Sequence, residues 1–284
     1  MNSKTIEIHI KANSRWLDTH FLEIWHYRDL LFLLIRRDLV SQYKQTVLGP
    51  LWLIAQPLFG TGVFAVIFGM VAQLPTDGLP VFLFYQSGML GWNYFASTYG
   101  SNANALQSNA GLFGKVYFPR MIPPIAVCIT NLFTLFLQII IFLIVYAGFK
   151  IHLGEEASFG ITSYLIFLPL LILQSALLAM GIGFLMSAIT VKYRDFEKLG
   201  GLVMQFFMYI SPIIYPLSEL PEKLKWLMWC NPLSFIVESY RLMFLGKGSV
   251  SAELAICSVT ITVTIALFGI ILYNKVQKNY IDYL

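Results

Sequence analysis

The residues of this sequence that could carry out chemistry do not form a catalytic or metal-binding pattern. The four histidines include no i, i+4 pair and have no cysteine nearby, whereas zinc sites use closely spaced His and Cys ligands. The three cysteines (Cys128, Cys230 and Cys257) are widely spaced in apolar context, which is typical of buried small side chains rather than of a disulfide framework. We therefore predict no catalytic residue and no metal site.

Nucleotide-binding and hydrolytic motifs are also missing from the sequence. Gly114-Lys115 is followed by Val116, and Gly246-Lys247 is followed by Gly248, so neither completes the phosphate-binding G-x-x-x-x-G-K-[ST] loop. Neither H-E-x-x-H nor G-x-S-x-G occurs. The long apolar segments contain no Asp, Glu, Lys or Arg, which leaves a proton relay or an ion-coupled pump little to work with. We predict no cofactor in this chain, and a partner would have to supply any energy it uses.

The composition indicates that membrane-spanning helices position these residues. Of the 284 residues, 57% are hydrophobic and only 12% are charged, and the mean hydropathy is +0.70. Soluble globular chains carry roughly 25% charged residues. With half that fraction, a soluble fold of this length would expose large apolar patches and aggregate. The sequence therefore predicts an all-α polytopic membrane protein.

Six segments of 20 or more residues contain no charged side chain, and only Asp77 separates the first two. About 20 apolar residues in a helix cross the ~30 Å hydrocarbon core of a bilayer, so each segment is long enough to span once. We predict a six-span domain over residues 47–274, with spans at about 47–72, 81–102, 121–149, 161–189, 199–216 and 252–274.

Basic residues indicate the orientation of these spans, because six crossings place both termini on one side. Of the 19 Lys and Arg residues, 14 fall in residues 1–46, in the 103–120 and 190–198 loops and in the tail, and five fall on the other side. By the positive-inside rule, the segments 1–46 and 275–284 are cytoplasmic. The net charge of +4 then reflects topology and not nucleic-acid binding.

The cytoplasmic segment contains a predicted helix from Phe21 to Gln45, which is too charged to span the membrane. On a helical wheel, seven apolar residues fall within one arc of about 120°, although Arg28 interrupts the stripe and Leu30, Leu33 and Leu34 lie outside it. This pattern favours an amphipathic helix in the membrane interface. The alternative is a helix packed on the cytoplasmic ends of the spans. The stripe consists of Phe21, Ile24, Trp25, Leu31, Phe32, Ile35 and Leu39.

The second span is unusually polar, with Gln86, Asn93, Thr98, Ser101, Asn102 and Asn104 along its length. Such side chains are costly when they face lipid. They either hold helices together through hydrogen bonds or line a wet passage, and the sequence leaves both interpretations open.

Residues 217–247 are predicted to form a re-entrant helical hairpin between spans five and six. Two short helical patterns, Leu217–Cys230 and Leu233–Leu245, are separated by Asn231-Pro232, and neither can cross the membrane alone. Backbone of this kind is tolerated at membrane depth only where protein covers it or where it lines a cavity, so the hairpin is a candidate gate. The alternative is a hairpin that lies flat on the surface. The candidate gate residues are Pro212, Pro216, Asn231, Pro232 and Arg241.

Five groups of motifs, in order from about Arg28 to Tyr273, resemble the ABC-2 type permeases that export polysaccharides. They are Arg37-Asp-Leu with Tyr43-Lys-Gln-Thr-Val-Leu-Gly-Pro-Leu-Trp52 and Gln56-Pro57, Phe113-Gly-Lys-Val-Tyr-Phe-Pro-Arg120 with Pro123-Pro124, Val191-Lys-Tyr-Arg-Asp-Phe196, Ser211-Pro-Ile-Ile-Tyr-Pro216, and Asn231-Pro-Leu with Glu238-Ser-Tyr-Arg241.

This resemblance implies a non-catalytic transport subunit in the bacterial inner membrane. Two copies would form a homodimer of six-span ABC-2 subunits with two separate ATPase subunits, which bind ATP and Mg. The implied substrate is a lipid-linked polysaccharide, with the O-antigen branch favoured by the chain length and the hairpin. Capsular polysaccharide and teichoic-acid permeases are the alternatives, followed by a drug or small-lipid permease. A membrane-embedded glycolipid enzyme is a further alternative, and it would require clustered Asp, Glu or His near a membrane face.

Three further sets of functional residues are predicted within this framework. The apolar and basic loop between spans two and three is a candidate ATPase-coupling element, with packing on its own protomer as the alternative. Arg194 and Asp195 are a candidate latch at the end of span four. Aromatic residues of spans two and five are candidates for a glycan channel, because rings stack on sugars through weak contacts; packing between helices is the alternative. The coupling residues are Lys115, Val116, Tyr117, Phe118 and Arg120, and the channel residues are Trp92, Phe95, Tyr99, Tyr209 and Tyr215.

Overall fold

A computed structural model describes residues 25–44, 51–109, 111, 118–154, 157–193 and 195–279. All regular structure in these ranges is helical. We number the helices α1 (Arg28–Tyr43), α2 (Leu51–Phe64), α3 (Val81–Ala103), α4 (Ala105–Ser108), α5 (Ile122–Leu153), α6 (Leu168–Thr190), α7 (Asp195–Ile210), α8 (Glu222–Cys230), α9 (Pro232–Leu245) and α10 (Ala252–Asn279). A π-helix (Ala65–Val71) continues α2, and 3-10 helices occur at Ser163–Phe167 and Leu217–Glu219.

Three helices of the described residues have the length and hydropathy of membrane spans: Ile122–Leu153, Ser163–Thr190 and Ala252–Gln277. They correspond to the predicted spans three, four and six, and each begins at most two residues after its predicted start. The first predicted span corresponds to α2 with its π-helix, and the second to α3. Helix α3 has 23 residues, which is long enough to cross a bilayer, but it is more polar than the three apolar spans and is not one of them.

The fifth predicted span ends earlier than expected. The prediction extended it over 199–216, whereas α7 runs from Asp195 to Ile210 and is followed by turns at 211–213. Pro212 lacks a backbone N–H and disfavours helical geometry in the residue before it. Ser211 instead donates its hydroxyl to the carbonyl oxygen of Phe207, at 2.8 Å. The helix therefore has 16 residues, or about 24 Å at ~1.5 Å per residue.

The core is centred on α3, which packs against α2, α5, α6, α7 and α9. Enclosure by these helices explains how a polar helix can be accommodated, because most of its side chains are shielded from the surroundings. The most extensive helix pair is α6 with α10. Glycines make this close approach possible: a Cβ at Gly181 would lie 2.8 Å from the Cα of Ala266, and one at Gly269 would collide with the carbonyl oxygen of Gly181.

The N-terminal helix α1 packs against α5. Its most buried residue is Leu34, which is 2% exposed and contacts Phe118, Ile122 and Ala126. Phe32, assigned by the wheel to the apolar stripe, is 66% exposed. The face of α1 that packs against α5 is thus rotated from the predicted stripe, because Leu34, outside the stripe, is the residue buried in this contact. Residues 21–24 of the stripe lie outside the described residues.

Candidate functional site

The most unusual feature of the described chain is a buried ion pair in α9. Arg241 donates from Nη1 to Oε1 of Glu238 at 2.8 Å, and both side chains are 1% exposed. The residues are three apart, so they share one face of the helix. Buried charges are tolerated only when they are paired and hydrogen-bonded. Such a pair holds the neighbouring segments in place, and neither charged group is accessible to a substrate.

Arg241 also binds the chain segment that follows α7. Nη2 donates to the carbonyl oxygen of Ile213 at 2.8 Å, and Nη1 donates to that of Tyr215 at 3.4 Å. The guanidinium carbon lies 3.7 Å from the ring centroid of Phe84 in α3, which is a cation–π arrangement. A Cβ at Gly88 would lie 3.3 Å from Nη2, so a small residue of α3 leaves room for the guanidinium.

Glu238 binds both flanks of the hairpin. Its Oε1 accepts from the backbone N–H of Leu217 at 3.3 Å, and its Oε2 accepts from that of Ser249 at 2.9 Å. A Cβ at Gly248 would lie 2.6 Å from the carbonyl oxygen of Glu238, so only glycine fits this return of the chain. We call this set the hairpin clasp: Glu238, Arg241 and the backbone groups of Ile213, Tyr215, Leu217 and Ser249.

The electrostatics of the clasp favour two charged partners. Burial lowers the pKa of the Arg241 guanidinium, and the nearby carboxylate of Glu238 opposes this effect. Both residues lie in α9, outside the three spans described above. The carboxylate of Glu238, 2.8 Å from Nη1, therefore favours the charged form of the guanidinium.

The loop between the π-helix and α3 also binds the hairpin, through Asp77. Asp77 Oδ1 accepts from the hydroxyl of Ser218 at 2.7 Å, and the Asp77 carbonyl oxygen accepts from Nζ of Lys247 at 2.7 Å. Ser218 precedes the hairpin helices and Lys247 follows them. A single residue outside the hairpin therefore contacts both of its ends.

The turn between α8 and α9 is fixed by Asn231. Its Oδ1 caps α9 by accepting from the N–H of Leu233 at 3.0 Å, and its Nδ2 donates to the hydroxyl of Ser211 at 3.0 Å. The hydroxyl of Ser258 in α10 donates to the carbonyl oxygen of Pro232 at 2.8 Å. The tip of the helix pair is thus attached to the end of α7 and to α10.

The structure brings the five candidate gate residues into this region. Pro212, Pro216, Asn231, Pro232 and Arg241 are all buried. The two predicted helical patterns correspond to α8 and α9, which differ in burial: α9 is mostly enclosed, whereas Trp226 and Trp229 of α8 are 61% and 44% exposed. Glu238 was missing from the candidate gate residues. Its i, i+3 spacing from Arg241 within an otherwise apolar helix is the signal that would have identified it.

The candidate channel residues divide into a buried set and an exposed one. Trp92, Phe95 and Tyr99 lie on one face of α3 as the spacing predicts, with centroid distances of 5.8 Å and 6.5 Å between successive rings. Phe95 is 0% exposed and also contacts the ring of Phe207 in α7. Tyr209 of α7 is instead 46% exposed. The α3 rings therefore pack between helices of this protomer.

Tyr215, the fifth channel candidate, is half-buried beside the clasp. Its hydroxyl donates to the carbonyl oxygen of Ile210 at 2.6 Å. The assignment of all five rings to a channel stays a prediction.

The polar residues of α3 serve different roles at different heights. Asn131 of α5 donates to the hydroxyl of Thr98 at 3.1 Å, and Asn102 contacts the Cys128 sulfur at 3.8 Å, so these groups hold α3 and α5 together. Ser101 in the last turn of α3 and Asn104, which follows that helix, instead line a cavity of ≈ 610 Å³ between α1, α3 and α5. The hydrogen bonds to α5 correspond to the first interpretation of the polar span, and the wet passage stays a prediction.

Of the candidate coupling residues, Lys115, Val116 and Tyr117 lie outside the described residues. Phe118 is 5% exposed and packs against α1 and α5 of its own protomer, which corresponds to the alternative interpretation of this residue. Arg120 is half-buried, and its carbonyl oxygen accepts from the hydroxyl of Tyr273 at 3.3 Å. Of the candidate latch, Arg194 lies outside the described residues and Asp195 is the exposed first residue of α7.

The three apolar spans and the clasped helix pair are those of a helical membrane protein. A protein-family model described as ABC-2 type transporter matches residues 29–245, more than half of the chain. The chain belongs to this family.

Curated relatives of the chain are named for transport or export. The O-antigen export system permease protein RfbA of Klebsiella pneumoniae is 27% identical, over 90% of this chain and 95% of that protein. RfbA of Myxococcus xanthus is 28% identical, over 81% of this chain and 86% of its own. The polysialic acid transport protein KpsM of Escherichia coli is 27% identical, over 86% of this chain and 92% of its own.

Proposed function

We propose that this chain is the membrane-spanning permease of an ATP-driven exporter that moves lipid-linked polysaccharide of the O-antigen type across the bacterial inner membrane. The observation that carries the proposal is its similarity to O-antigen export permeases over nine tenths of its length. The described residues agree with a passive subunit, since their buried charges bind one another and the backbone. The chain itself is not an enzyme, and a separate ATPase supplies the energy.

The proposed topology has six spans and cytoplasmic termini. Besides the three apolar spans, α2 with its π-helix, α3 and α7 complete the set. The packing of α3 supports its place in the membrane, because Thr98 and Asn102 are 0% exposed and lie against α5. In this topology α8 and α9 form a re-entrant hairpin on the external side. The clasp supports this role, since it satisfies charges that lipid would not.

The proposed assembly is a homodimer with two ATPase subunits. The exposed face of α7 supports a contact with a second copy: Phe206 is 67% exposed and Val203 is 53% exposed, and the polar Gln205 is exposed between them. A glutamine that faces hydrocarbon is costly, whereas helix–helix interfaces in membranes accommodate such residues through hydrogen bonds. The length of α7, shorter than the ~30 Å hydrocarbon core, also suits a helix supported by protein.

Energy coupling is proposed to occur through residues 115–117, ahead of the buried Phe118. Phe118 packs against α1 and α5 at the end of this loop. A displacement of the loop by the ATPase would therefore move both helices. Asp195 at the start of α7 and Arg194 before it are proposed to act at the same membrane face. The hairpin is proposed to gate the external end of the passage.

A deletion strain tests the proposed function. Loss of the chain should abolish long-chain O-antigen on surface lipopolysaccharide, while lipid-linked O-antigen accumulates inside the cell. A strain with an inactive ATPase partner is the matched control and should accumulate the same intermediate. Unchanged surface lipopolysaccharide would contradict the O-antigen assignment.

Capsular polysaccharide is the second candidate substrate. It is supported by similarity to KpsM and to the capsule polysaccharide export protein CtrC of Neisseria meningitidis, which is 21% identical over 89% of this chain. Loss of surface capsule in the same deletion strain, with O-antigen unchanged, would favour this candidate.

A further inference from the structure

An apolar groove of ≈ 690 Å³ lies between α6 and α10. The 3-10 turn Ser163–Phe167 borders one end, and α9 forms the floor with Phe235, Leu242 and Met243. Pockets of 300–1,000 Å³ are typical of sites that hold small molecules. The groove is therefore large enough for a ligand, and its lining indicates an apolar one.

The position of the groove follows from the packing of its two walls. Helices α6 and α10 are in close contact at Gly181, Ala266 and Gly269. The groove lies on the N-terminal side of this contact, where α9 packs against both helices. Gln174 of α6 donates to the hydroxyl of Ser258 in α10 at 2.7 Å, so the walls are also held together by a buried hydrogen bond. The cavity is bounded by rigid elements.

The rim of the groove faces the surroundings of the two spans. Leu170 and Leu173 of α6 are 64% and 54% exposed, and Val259 and Val263 of α10 are each 45% exposed. Because α6 and α10 both have the length and hydropathy of membrane spans, the medium at this rim is hydrocarbon. An apolar groove that is open to hydrocarbon is continuous with the lipid-facing surface and takes up its occupant from there.

We propose that this groove holds an acyl chain of a membrane phospholipid as a resident ligand. Tyr164 and the exposed Ser251 lie at the N-terminal ends of the two walls, and tyrosine is suited to the headgroup level. The leaflet depends on the proposed function: in that topology these ends are external and the lipid belongs to the outer leaflet. The groove and its occupant do not depend on the transported substrate.

The occupant would contact the helix that carries the hairpin clasp. Leu242 and Met243 line the groove and follow Arg241 directly, so the acyl chain contacts α9 next to the residue that forms the clasp. Phospholipid bound here would stabilise the hairpin, and loss of the lipid would loosen it.

Filling the groove with protein tests the proposal. Ala255→Phe places a ring on the groove wall, and Val259→Trp does the same one turn further along. Ala147→Phe is the matched control, because Ala147 is exposed on α5 and does not line the groove. Full-length permease is purified in mild detergent, and the phospholipids retained per protomer are counted by native mass spectrometry during stepwise delipidation.

We expect wild-type protein and Ala147→Phe to retain one more phospholipid per protomer than either groove variant. Added phospholipid should raise the unfolding temperature of wild-type protein but not that of the groove variants. Equal retention by all folded proteins would overturn the proposal. Retention of a polyisoprenoid in place of a phospholipid would overturn the assigned occupant. Neither result depends on O-antigen export, which the deletion strain tests separately.

Discussion

Replacement of Glu238 by alanine is expected to open the hairpin clasp. The substitution removes the partner of Arg241 and the acceptor for two backbone N–H groups, on either side of the hairpin. The guanidinium would stay 1% exposed without a counter-ion. Removing one member of a buried ion pair costs roughly 3–5 kcal/mol.

The same chain provides a matched control at the same helical spacing. Glu222 and Lys225 of α8 also form an i, i+3 pair, at 3.3 Å, but their side chains are 92% and 47% exposed. Exposed pairs of this kind contribute about 0–1 kcal/mol. Glu222→Ala should therefore leave the stability of the hairpin nearly unchanged. The comparison therefore contrasts a buried carboxylate that also binds two backbone N–H groups with an exposed one at the same helical spacing.

Hydrogen exchange is the assay that reports this local opening. Each ~1.4 kcal/mol corresponds to a factor of ten in an equilibrium constant. A loss of 3–5 kcal/mol in the free energy of local opening should therefore speed the exchange of the released amides by roughly 100-fold or more. The affected amides should be those of α9 and the flanking residues Leu217 and Ser249, while α5 exchanges as before. Equal protection in Glu238→Ala and Glu222→Ala would refute the assignment of the clasp as the element that holds the hairpin.

Three other substitutions follow from the packing. Gly269→Ala should lower the unfolding temperature, because its Cβ collides with backbone and such overpacking costs about 1–3 kcal/mol; Gly148→Ala, with open space around it, should not lower it. Phe95→Ala should lower the free energy of unfolding by about 3–5 kcal/mol, because it truncates a core side chain, and its expression should fall. Tyr209→Ala should fold normally. An equal loss of stability in the two variants would contradict the burial pattern. Asn231→Ala should cost about 0.5–2 kcal/mol through the lost helix cap, and unchanged thermal stability would show that neither the cap nor the bond to Ser211 stabilises the fold.

Sequence patterns predicted the helical elements more accurately than their contacts. Charge-free segments located the three apolar spans because the hydrocarbon core imposes a minimum length on each helix. The break at Asn231-Pro232 predicted two short helices because proline cannot continue a helix. The end of α7 was missed, although Ser211-Pro212 was visible in the sequence, since apolar composition alone extended the span.

The candidate site was less predictable because its interactions are long-range. Arg241 could be singled out as one of two charges in an otherwise apolar helix, but its bonds to Ile213 and Tyr215 depend on how the chain returns after α7. The face of α1 also depended on tertiary packing, which buried Leu34 and left Phe32 exposed. Spacing defines which residues share a face, whereas the neighbouring helices decide which face is buried.

Reconstitution into proteoliposomes with the partner ATPase tests the central claim most directly. Lipid-linked O-antigen is supplied on the outer surface of inside-out vesicles, and its transfer to the lumen is measured by protection from an added glycosidase. We predict ATP-dependent protection that requires both this chain and an active ATPase. Protection at the same rate in vesicles that lack this chain, or none in complete vesicles that hydrolyse ATP, would contradict the account.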